Sequence, residues 1–371
     1  MHAKKINIVY DHQIFDQQKY GGISRYFCEV ASRIARDNNC DVKFASPIFF
    51  NCYLKFDSDR VKGLYIPQIP KTGKLIQLIN NLIAPCLVRL CSPNLVHETY
   101  YSYKSAASNS AKVIVTVHDM IHELFPESFE TSDTTRFKKA AAVNRADHVI
   151  CVSGNTQQDL IRLLGVDPAK TSVVHHGYEL MVAPSGMRRC EEPYILYVGS
   201  RGGYKNFDRL LQGYAASPSI HKNFQLVAFG GGELTRQERS RIQELGGGRL
   251  QVRHFSGDDE VLADLYDFAH VFVYPSLYEG FGIPPLEAMS VGCPVLCSDR
   301  SSLPEVLGDA AGFFDPESVD SIANALERVL FDSSYRQGLI EKGYGRCARY
   351  SWEKCAKETL DVYRYVVGSE I

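Results

Sequence analysis

Apolar residues occur along the chain in short runs, and amphipathic segments separate these runs from one end to the other. Several runs are rich in Val and Ile. Short apolar runs that alternate with helical patterns are typical of buried parallel strands joined by crossover helices, the doubly wound α/β architecture. The pattern predicts these strands: Ile6–Tyr10, Val42–Ala45, Leu95–His97, Lys112–Val117, His148–Val152, Tyr194–Val198, Gln225–Phe229, Val252–Phe255, Val271–Tyr274 and Pro294–Cys297.

This alternation is interrupted once, near the middle of the chain. A run with Gly, Pro and mixed charges, HGYELMVAPSGMRRCEEP, separates the segment Ser172–His176 from a fresh strand at Tyr194. Such a run is typical of a linker, and it predicts a boundary near Gly177–Pro193 between two Rossmann-like domains. We therefore expect one domain over residues 1–177 and a second over 178–351. A final segment, 352–371, would contain a helix at Trp352–Val367.

Composition narrows the class of protein. The net charge of −2 gives no general attraction to nucleic acid, and no apolar run reaches the roughly 18 residues that suggest a transmembrane helix. The first residues, MHAKKINIVYD, fit a strand better than a signal peptide. The 11 cysteines show no CxxC spacing, so they indicate reduced thiols in a cytosolic core rather than a zinc or disulfide framework.

One segment raises the question of membrane contact. Lys71–Leu90 reads KTGKLIQLINNLIAPCLVRL, which is apolar with cations near both ends. It fits an interfacial segment that reaches a lipid-linked molecule, but it fits an ordinary core helix interrupted at Pro85 slightly better.

Two features in the first half could carry chemistry. Gly21 and Gly22 follow the first strand and open the helical run Ser24–Arg36, where a backbone can approach an anion; an ordinary glycine turn is the alternative. His118 ends the strand Lys112–Val117 and would face the ligand side as a neutral imidazole, or be a structural histidine. The spacing of His118 and His122 resembles a metal pair only if one helix holds both, which the preceding strand argues against.

In the second half, a glycine-rich loop follows the strand Tyr194–Val198. It reads GSRGGYKN and places Arg201 and Lys205 four residues apart, so both cations could reach one phosphate group. Gly199 belongs to the same loop. Gly231, in GGGE after the next strand, could let a nucleotide come close; a solvated loop and an ordinary turn are the alternatives.

The stretch YEGFGIPPLEAMSVGCPVLCSD contains two glutamates, Glu279 and Glu287. Pro284 and Pro285 suit the first turn of a helix, and the backbone N–H groups of Gly280–Gly282 could bind an anion. Two carboxylates around an anion site suit a ligand with a central diphosphate and sugars at both ends. A helix N-terminal interaction is the alternative for Glu287, and this phosphate cradle argues against a glycosidase pair.

Taken in order, these stretches resemble the retaining glycosyltransferases of the GT-B fold, family 4 type. The motif EGFGIPPLE resembles their E-x7-E signature. The likeness extends over nearly the whole chain through YGGISRY, VTVHDMIHELFPE, ADHVICVSGNTQQDL, SVVHHG, YVGSRGGYKNFDRLL and YSWEKCA. The resemblance implies two Rossmann-like doubly wound domains facing across a cleft, with the acceptor on the first and a nucleotide-sugar donor on the second.

The resemblance also implies roles for residues. Arg201 and Lys205 would bind the donor diphosphate, Glu287 the ribose, and Glu279 the donor sugar. His118 would contact that sugar near the reacting centre. The donor-binding set implied is Gly21, Gly22, Gly199, Gly231, Gly280, Phe281, Gly282, Ile283 and Glu287.

The implied reaction is transfer of a hexose with retention, in which the leaving phosphate takes the acceptor's proton. The resemblance implies no essential metal, with which the absence of a DxD in a suitable loop agrees, and no cofactor, because the nucleotide sugar is a substrate. Asp258 and Asp259 are adjacent and fit a helix cap. The loop form SRGGYKNF resembles surface-polysaccharide mannosyltransferases and favours a GDP sugar, with UDP-glucose next. A saccharide or lipid-linked acceptor is expected; an epimerase or a non-catalytic sugar-nucleotide binding protein remains an alternative.

Overall fold

The computed structural model describes residues 5–55, 57–179 and 182–368. The chain divides into two units. Unit 1 comprises Met1–Glu123, Glu130–Gly177 and Ser351–Ile371, and unit 2 comprises Leu124–Phe129 and Tyr178–Tyr350. The chain therefore leaves unit 1 briefly at Leu124–Phe129 and returns to it at its end.

Unit 1 is built on a parallel sheet of seven strands. The strands are β1 (Ile6–Tyr10), β2 (Cys40–Phe49), β3 (Val61–Tyr65), β4 (Leu95–Glu98), β5 (Lys112–Val117), β6 (His148–Cys151) and β7 (Thr171–Val173). Their order in the sheet is β3-β2-β1-β4-β5-β6-β7. Ile6 of β1 pairs with Cys40, and Ile8 pairs with Leu95, so β1 lies inside the sheet, between β2 and β4.

Helices connect these strands. They are α1 (Gly22–Ile34), α2 (Cys52–Lys55), α3 (Gly73–Leu90), α4 (Ile121–Leu124), α5 (Thr135–Arg145) and α6 (Gly154–Leu164). Helix α3 buries Ile76, Ala84 and Val88 along one face and also buries Asn80, whose side chain accepts from the Ile48 backbone N–H at 2.9 Å. The remaining faces of α3 are largely exposed.

Unit 2 contains a second parallel sheet, of six strands. These are β8 (Tyr194–Val198), β9 (Gln225–Phe229), β10 (Val252–Phe255), β11 (Val271–Tyr274), β12 (Val295–Ser298) and β13 (Gly312–Phe314), in the order β10-β9-β8-β11-β12-β13. Its helices are α7 (Phe207–Ala216), α8 (Pro218–Asn223), α9 (Arg236–Gly246), α10 (Asp259–Phe268), α11 (Ile283–Ser290), α12 (Leu303–Leu307), α13 (Val319–Phe331) and α14 (Ser333–Cys347).

The last helix, α15 (Trp352–Val367), belongs to unit 1 and packs on α1. Trp352 and Tyr363 are part of the unit 1 core. The Tyr363 hydroxyl lies 2.9 Å from the Tyr10 hydroxyl and 2.5 Å from Nδ1 of His97. His97 is therefore a buried structural residue that ties α15 to the sheet.

Each sheet has one point at which the strand order reverses direction. In unit 1 it lies between β1 and β4, and in unit 2 it lies between β8 and β11. On the two sides of each point, successive strands are added to the sheet in opposite directions. The loops at the carboxyl ends of the two adjacent strands therefore diverge and leave a crevice. Ligands of open α/β sheets bind in such crevices.

The doubly wound α/β prediction is confirmed. Every predicted strand is present, with end shifts of at most four residues at β2, and the helix Trp352–Val367 is present with its predicted bounds. The hydrophobic pattern of the sequence did not predict β3, β7 and β13. Among the helices of the described residues, none is long and apolar enough to span a membrane.

Candidate functional site

The loops that follow β8 and β11 bring two predicted site residues together in unit 2. The ammonium nitrogen of Lys205 lies 2.6 Å from Oε1 of Glu279 and 3.3 Å from the Tyr274 hydroxyl. Both side chains are mostly buried, with 17% of Lys205 and 11% of Glu279 exposed. Burial lowers the pKa of Lys205, but the Glu279 carboxylate, with Tyr204 and Tyr197, more than offsets this, and the net pKa is above the ordinary value. Lys205 is therefore a cation at neutral pH.

The position of Lys205 depends on Asn206. Residues Gly203–Lys205 form one 3-10 turn, and Asn206 then adopts a left-handed conformation with φ of 59°. Its side-chain amide donates to the carbonyl oxygens of Pro275 at 3.0 Å and Pro316 at 2.8 Å. This asparagine ties the loop after β8 to the loop after β11, which holds Lys205 beside Glu279.

Arg201 contacts a different neighbour. Its guanidinium donates to the carbonyl oxygens of Gly230 and Gly232, both at 2.8 Å, and to Oε1 of Glu238 at 2.6 Å. Glu238 also completes the capping box of α9 with Thr235. In this structure Arg201 therefore holds the glycine loop after β9, and any phosphate would have to exchange with these contacts.

Gly231 shows how closely the glycine loop approaches the loop after β8. Its φ is 68°, and a Cβ there would lie 2.9 Å from the Gly199 carbonyl oxygen. Gly199 itself donates its N–H to Phe229 at 3.0 Å. A side chain at Gly231 would push the two loops apart, so here glycine is needed for both conformation and space.

The Glu279 loop is held by two serines that sequence reasoning missed. The Ser301 hydroxyl accepts from the Glu279 N–H at 2.9 Å. The buried Ser302 hydroxyl donates to the carbonyl oxygens of Glu279 at 2.8 Å and Phe281 at 3.1 Å. These serines lie more than 20 positions downstream, and no local pattern marks them as partners of the loop.

The predicted helix after the loop is present as α11. Gly282 precedes it with φ of 102°, and Pro284 and Pro285 lie in its first turn, as predicted. Glu287 is the fifth residue of α11, and the first turn contains no acidic residue. Glu287 therefore lies immediately after the first turn, near the N-terminus of the helix.

The remaining predicted residues of unit 2 are placed as follows. Gly280 and Phe281 are buried in the loop, and the Phe281 ring packs edge-on against Tyr350 with centroids 5.4 Å apart. Ile283 is the first residue of α11. Glu287 contributes to the raised pKa of Tyr266 on α10, after burial, so its carboxylate faces that phenol. The loops around the switch point of unit 2 thus contain Gly199, Arg201, Lys205, Gly231 and the segment 279–287.

His118, Gly21 and Gly22 belong to unit 1. Nδ1 of His118 lies 3.4 Å from Nε2 of His176, and the two rings are stacked beside Tyr26. Burial lowers the pKa of His118 to about 3, so its imidazole is neutral at physiological pH. Gly22 begins α1, and Gly21 precedes it in an extended conformation.

The histidine pair of HDMIH does not lie on one helix, because His118 precedes α4, which includes His122. Across the described parts of the chain, no group of three or more His, Cys, Asp or Glu side chains could hold a metal ion. Asp258 is the N-cap of α10 and accepts from the Val261 N–H at 3.2 Å, as predicted.

Two family models match the chain. The model described as Glycosyl transferases group 1 matches residues 186–346, and the model described as Glycosyltransferase Family 4 matches residues 20–181. The chain is 31% identical over 268 residues to O-antigen chain mannosyltransferase B of Escherichia coli. The aligned region covers 68% of this chain and 70% of that protein.

Solved structures agree with this assignment at the level of the fold. Sucrose-phosphate synthase from Thermosynechococcus elongatus superposes with a TM-score of 0.76 at 22% identity, covering 99% of this chain and 100% of that one. Anabaena HepE, solved in complex with UDP-glucose, gives a TM-score of 0.73 at 16% identity, covering 97% and 100%. The resemblance predicted from the motifs is confirmed: the chain belongs to the group 1, family 4 glycosyltransferases, and its fold is GT-B.

Proposed function

We propose that this glycosyltransferase moves a hexose from a nucleoside-diphosphate sugar to a saccharide or lipid-linked saccharide acceptor, with retention, in the synthesis of a surface polysaccharide. GDP-mannose is the favoured donor and UDP-glucose the next. The mannosyl assignment is supported by the likeness to the O-antigen mannosyltransferase. The use of a nucleotide sugar is supported by the similar fold that binds UDP-glucose.

The observation that carries the proposal is the Lys205–Glu279 pair at the switch point of unit 2. On donor binding, Lys205 would contact phosphate oxygens and Glu279 would accept from hydroxyls of the hexose. Because both groups are largely buried, their interactions with a bound donor are weakly screened by solvent. The backbone of Gly280–Gly282 and the start of α11 lie in the same loop and could bind the diphosphate. Glu287, one turn further along, would bind the ribose.

The proposed reaction needs no protein nucleophile. The bond between the anomeric carbon and the diphosphate oxygen breaks, the acceptor oxygen bonds to the same face, and the departing phosphate accepts the acceptor's proton. Lys205, with Arg201 once it leaves its carbonyl contacts, would stabilise the negative charge on the leaving group, the kind of term that usually dominates catalysis. Because its pKa is about 3, His118 is neutral, and it would hydrogen-bond to the sugar as an uncharged imidazole rather than act as a cation.

The direct test is to incubate the protein with GDP-mannose and UDP-glucose in the presence of mannosyl oligosaccharides. NMR of the product reports both transfer and anomeric configuration. We expect an α-linked product from the α-linked donor and an unchanged rate in EDTA. An inverted product would refute retention, loss of activity in EDTA would refute metal independence, and wild-type turnover in both Lys205→Ala and Glu279→Ala would refute the assigned site.

We also propose peripheral membrane contact through α3. Its outward residues Leu75, Leu78 and Leu82 are 58%, 57% and 69% exposed. The sequence from Lys71 to Leu90 contains cations but no acidic residue, which suits an anionic lipid surface. Ile76, by contrast, is buried and belongs to the core-facing side.

Co-sedimentation with liposomes containing anionic lipid tests this contact. We expect Leu75→Gln/Leu78→Gln/Leu82→Gln to abolish binding. The matched control, Leu64→Gln/Met187→Gln/Phe331→Gln, changes three side chains outside α3 that are also more than half exposed. Equal binding by both triple variants would refute the proposal.

A further inference from the structure

A short segment from the first half of the chain belongs to unit 2. It is Leu124–Phe129, with the sequence LFPESF, and it connects α4 to α5. Residues Pro126–Ser128 form one 3-10 turn, and the Ser128 N–H donates to the Phe125 carbonyl oxygen at 3.0 Å. The segment is therefore a compact turn with its own hydrogen bond rather than an extended connection.

The Phe125 ring contacts the chain neighbours of both charged residues of the unit 2 site. Its centroid is 5.9 Å from that of Tyr204 and 6.3 Å from that of Tyr278, with interplanar angles of 39° and 54°. Tyr204 immediately precedes Lys205. Tyr278 immediately precedes Glu279. Because aromatic rings at such separations attract one another, this one side chain packs against both loops that carry the ion pair.

The same segment also approaches the backbone of the loop after β8. A Cβ on Gly203 would lie 2.6 Å from the Ser128 hydroxyl oxygen and 3.1 Å from the Ser128 Cβ. Gly203 begins the 3-10 turn Gly203–Lys205 and has a φ of 54°. Two successive residues of that turn, Gly203 and Tyr204, therefore lie against Leu124–Phe129. A displacement of this segment would remove two supports of the turn that carries Lys205.

The Tyr204 ring connects this packing to the ammonium group of Lys205. Nζ of Lys205 lies 5.2 Å from the ring centroid of Tyr204 and 5.3 Å from that of Tyr274, within the roughly 6 Å at which an aromatic ring attracts a cation. Tyr274 belongs to β11 and is 3% exposed, so the sheet holds its ring. Tyr204 lies in a short turn, where its carbonyl oxygen accepts from the Leu277 N–H at 2.8 Å. Its ring depends on packing, and Phe125 provides part of that packing.

Phe125 is only half-buried, and Pro126 and Glu127 beside it are exposed. The loss of such a ring should disturb folding less than the loss of a core aromatic residue. A small displacement of the site can nevertheless change the reaction strongly, because a misplacement of about 1 Å can lower a rate by about 100-fold. Truncation of Phe125 should therefore affect the site while the chain remains folded.

We propose that Phe125 is a positioning residue for the transfer reaction. Its ring acts through Tyr204 and Tyr278 and holds the Lys205–Glu279 pair in the geometry that binds the donor. This role rests on the proposed function, which assigns the donor contacts to that pair. Because Phe125 orders the pair before the donor arrives, the donor does not have to order it on binding.

Chemical labelling of lysines tests this positioning without any substrate. The full chain is acetylated briefly with an N-hydroxysuccinimide ester, and mass spectrometry compares Lys205 with the exposed Lys222. The reagent attacks uncharged amines, and burial beside Glu279 keeps Lys205 shielded and charged. We expect Phe125→Ala to raise the labelling of Lys205 about tenfold, because the loops open more often. Phe125→Tyr keeps the ring and should keep the protection, as should Phe137→Ala, which truncates an exposed phenylalanine of α5.

Steady-state kinetics measure the consequence for the reaction. We expect Phe125→Ala to lower kcat by about 10–100-fold, with a smaller rise in the donor KM and an unchanged acceptor KM. Phe125→Tyr should recover most of this loss. Phe125→Leu, which keeps apolar bulk without the ring, guards against misfolding of the alanine variant and should lie between the two.

Two results would overturn the proposal. One is unchanged labelling of Lys205 in both Phe125→Ala and Phe125→Leu. The other is a lower Tm for Phe125→Ala with kcat per folded molecule within twofold of wild type, as expected of a ring that only stabilises the turn. Because labelling is measured without turnover, absence of transfer with every donor would count against the proposed function alone.

Discussion

At the switch point of unit 2 the charged side chains already contact one another, whereas at the switch point of unit 1 buried polar atoms lack partners among the described residues. Lys205 is paired with Glu279, and Arg201 with Glu238 and the glycine loop. In unit 1, His12, Gln13 and Asp16 each have one buried atom with no hydrogen-bond partner among the described residues. The same strand order thus supports two different kinds of polar site.

The difference suggests two ways of binding. A charged ligand at unit 2 must exchange with existing ion pairs, so part of its binding energy offsets their loss, while the cations stay charged and ordered before it arrives. A neutral ligand at unit 1 breaks no ion pair and satisfies groups that burial has left unpaired. This is the division expected if unit 2 binds a diphosphate sugar and unit 1 binds a neutral saccharide.

The largest effect is expected from Lys205→Ala. The change removes the ammonium group that we assign to the leaving phosphate. Loss of one such donor typically lowers kcat by about 10²–10³-fold, and we expect that range for transfer. Steady-state kinetics measure it, with Lys222→Ala, an exposed lysine of α8, as the control. A Lys205→Ala enzyme within twofold of wild type would show that the ion pair is structural.

A smaller but still large effect is expected from Gly231→Ala. The new Cβ would lie 2.9 Å from the Gly199 carbonyl oxygen and 3.2 Å from the Arg201 guanidinium, which should displace the loop that Arg201 holds. We expect a loss of about 1–3 kcal/mol in stability, and weaker nucleotide binding, with unchanged oligosaccharide binding in unit 1.

Gly232→Ala is the matched control for Gly231→Ala. Gly232 also has a positive φ, of 76°, but nothing lies within 4 Å of its Cβ position. Both substitutions therefore place an alanine at a positive φ, but only Gly231→Ala brings a Cβ into collision with neighbouring atoms. Thermal unfolding and nucleotide titration should separate the two variants, and identical behaviour would contradict the role given to close packing.

Ser302→Ala should have an intermediate effect on the reaction. It removes the hydroxyl that donates to Glu279 and Phe281, so the loop would lose part of its support. We expect kcat to fall about tenfold, which corresponds to roughly 1.4 kcal/mol, with a smaller change in donor KM. Ser298→Ala also removes a buried serine hydroxyl, one that accepts from the Arg300 N–H, and should leave kcat near wild type. A purely structural role for Ser302 would lower stability without changing kcat per folded molecule.

The smallest effect concerns the ionisation of Asp16 in unit 1 and its consequence for stability at different pH values. Burial raises the pKa of Asp16 to about 7 from an ordinary value of 3.8, with Asp11 raising it further and Asn80 opposing the rise. The folded chain therefore binds more protons than the unfolded chain between these values, and stability falls as pH rises through that window. Asp16→Asn removes this dependence.

We therefore expect Asp16→Asn to be more stable, relative to wild type, at pH 8 than at pH 5. A difference of about 2–4 °C in Tm would correspond to roughly 1 kcal/mol in a unit of this size. Differential scanning calorimetry of both proteins at the two pH values measures it. A pH-independent offset would show that Asp16 ionises normally.

Much of the fold could be predicted because its strands are buried and apolar. The runs Ile6–Tyr10, Tyr194–Val198 and Gln225–Phe229 match the structure at both ends. Strand β3 was missed because it is a sheet-edge strand with the polar and exposed sequence VKGLY. Strands β7 and β13 are three residues long, too short to show a period.

Only part of the candidate site could be predicted from the sequence, because some of its residues lie in local motifs and others do not. The glycines, Lys205 and Glu279 lie in local motifs that a sequence displays directly. The residues that hold these loops in place do not lie in local motifs. Ser302, Asn206 and Glu238 contact loops that are tens of residues away in the sequence. Glu238 forms a capping box with Thr235, but no local pattern predicts its contact with Arg201.

Separate titrations of the donor and of a mannosyl oligosaccharide, with wild type and with Lys205→Ala, test most directly whether the Lys205–Glu279 pair binds the nucleotide sugar. We predict that Lys205→Ala weakens nucleotide-sugar binding and turnover while oligosaccharide binding is unchanged. Unchanged nucleotide-sugar binding, or an equal loss of binding for both substrates, would contradict this assignment.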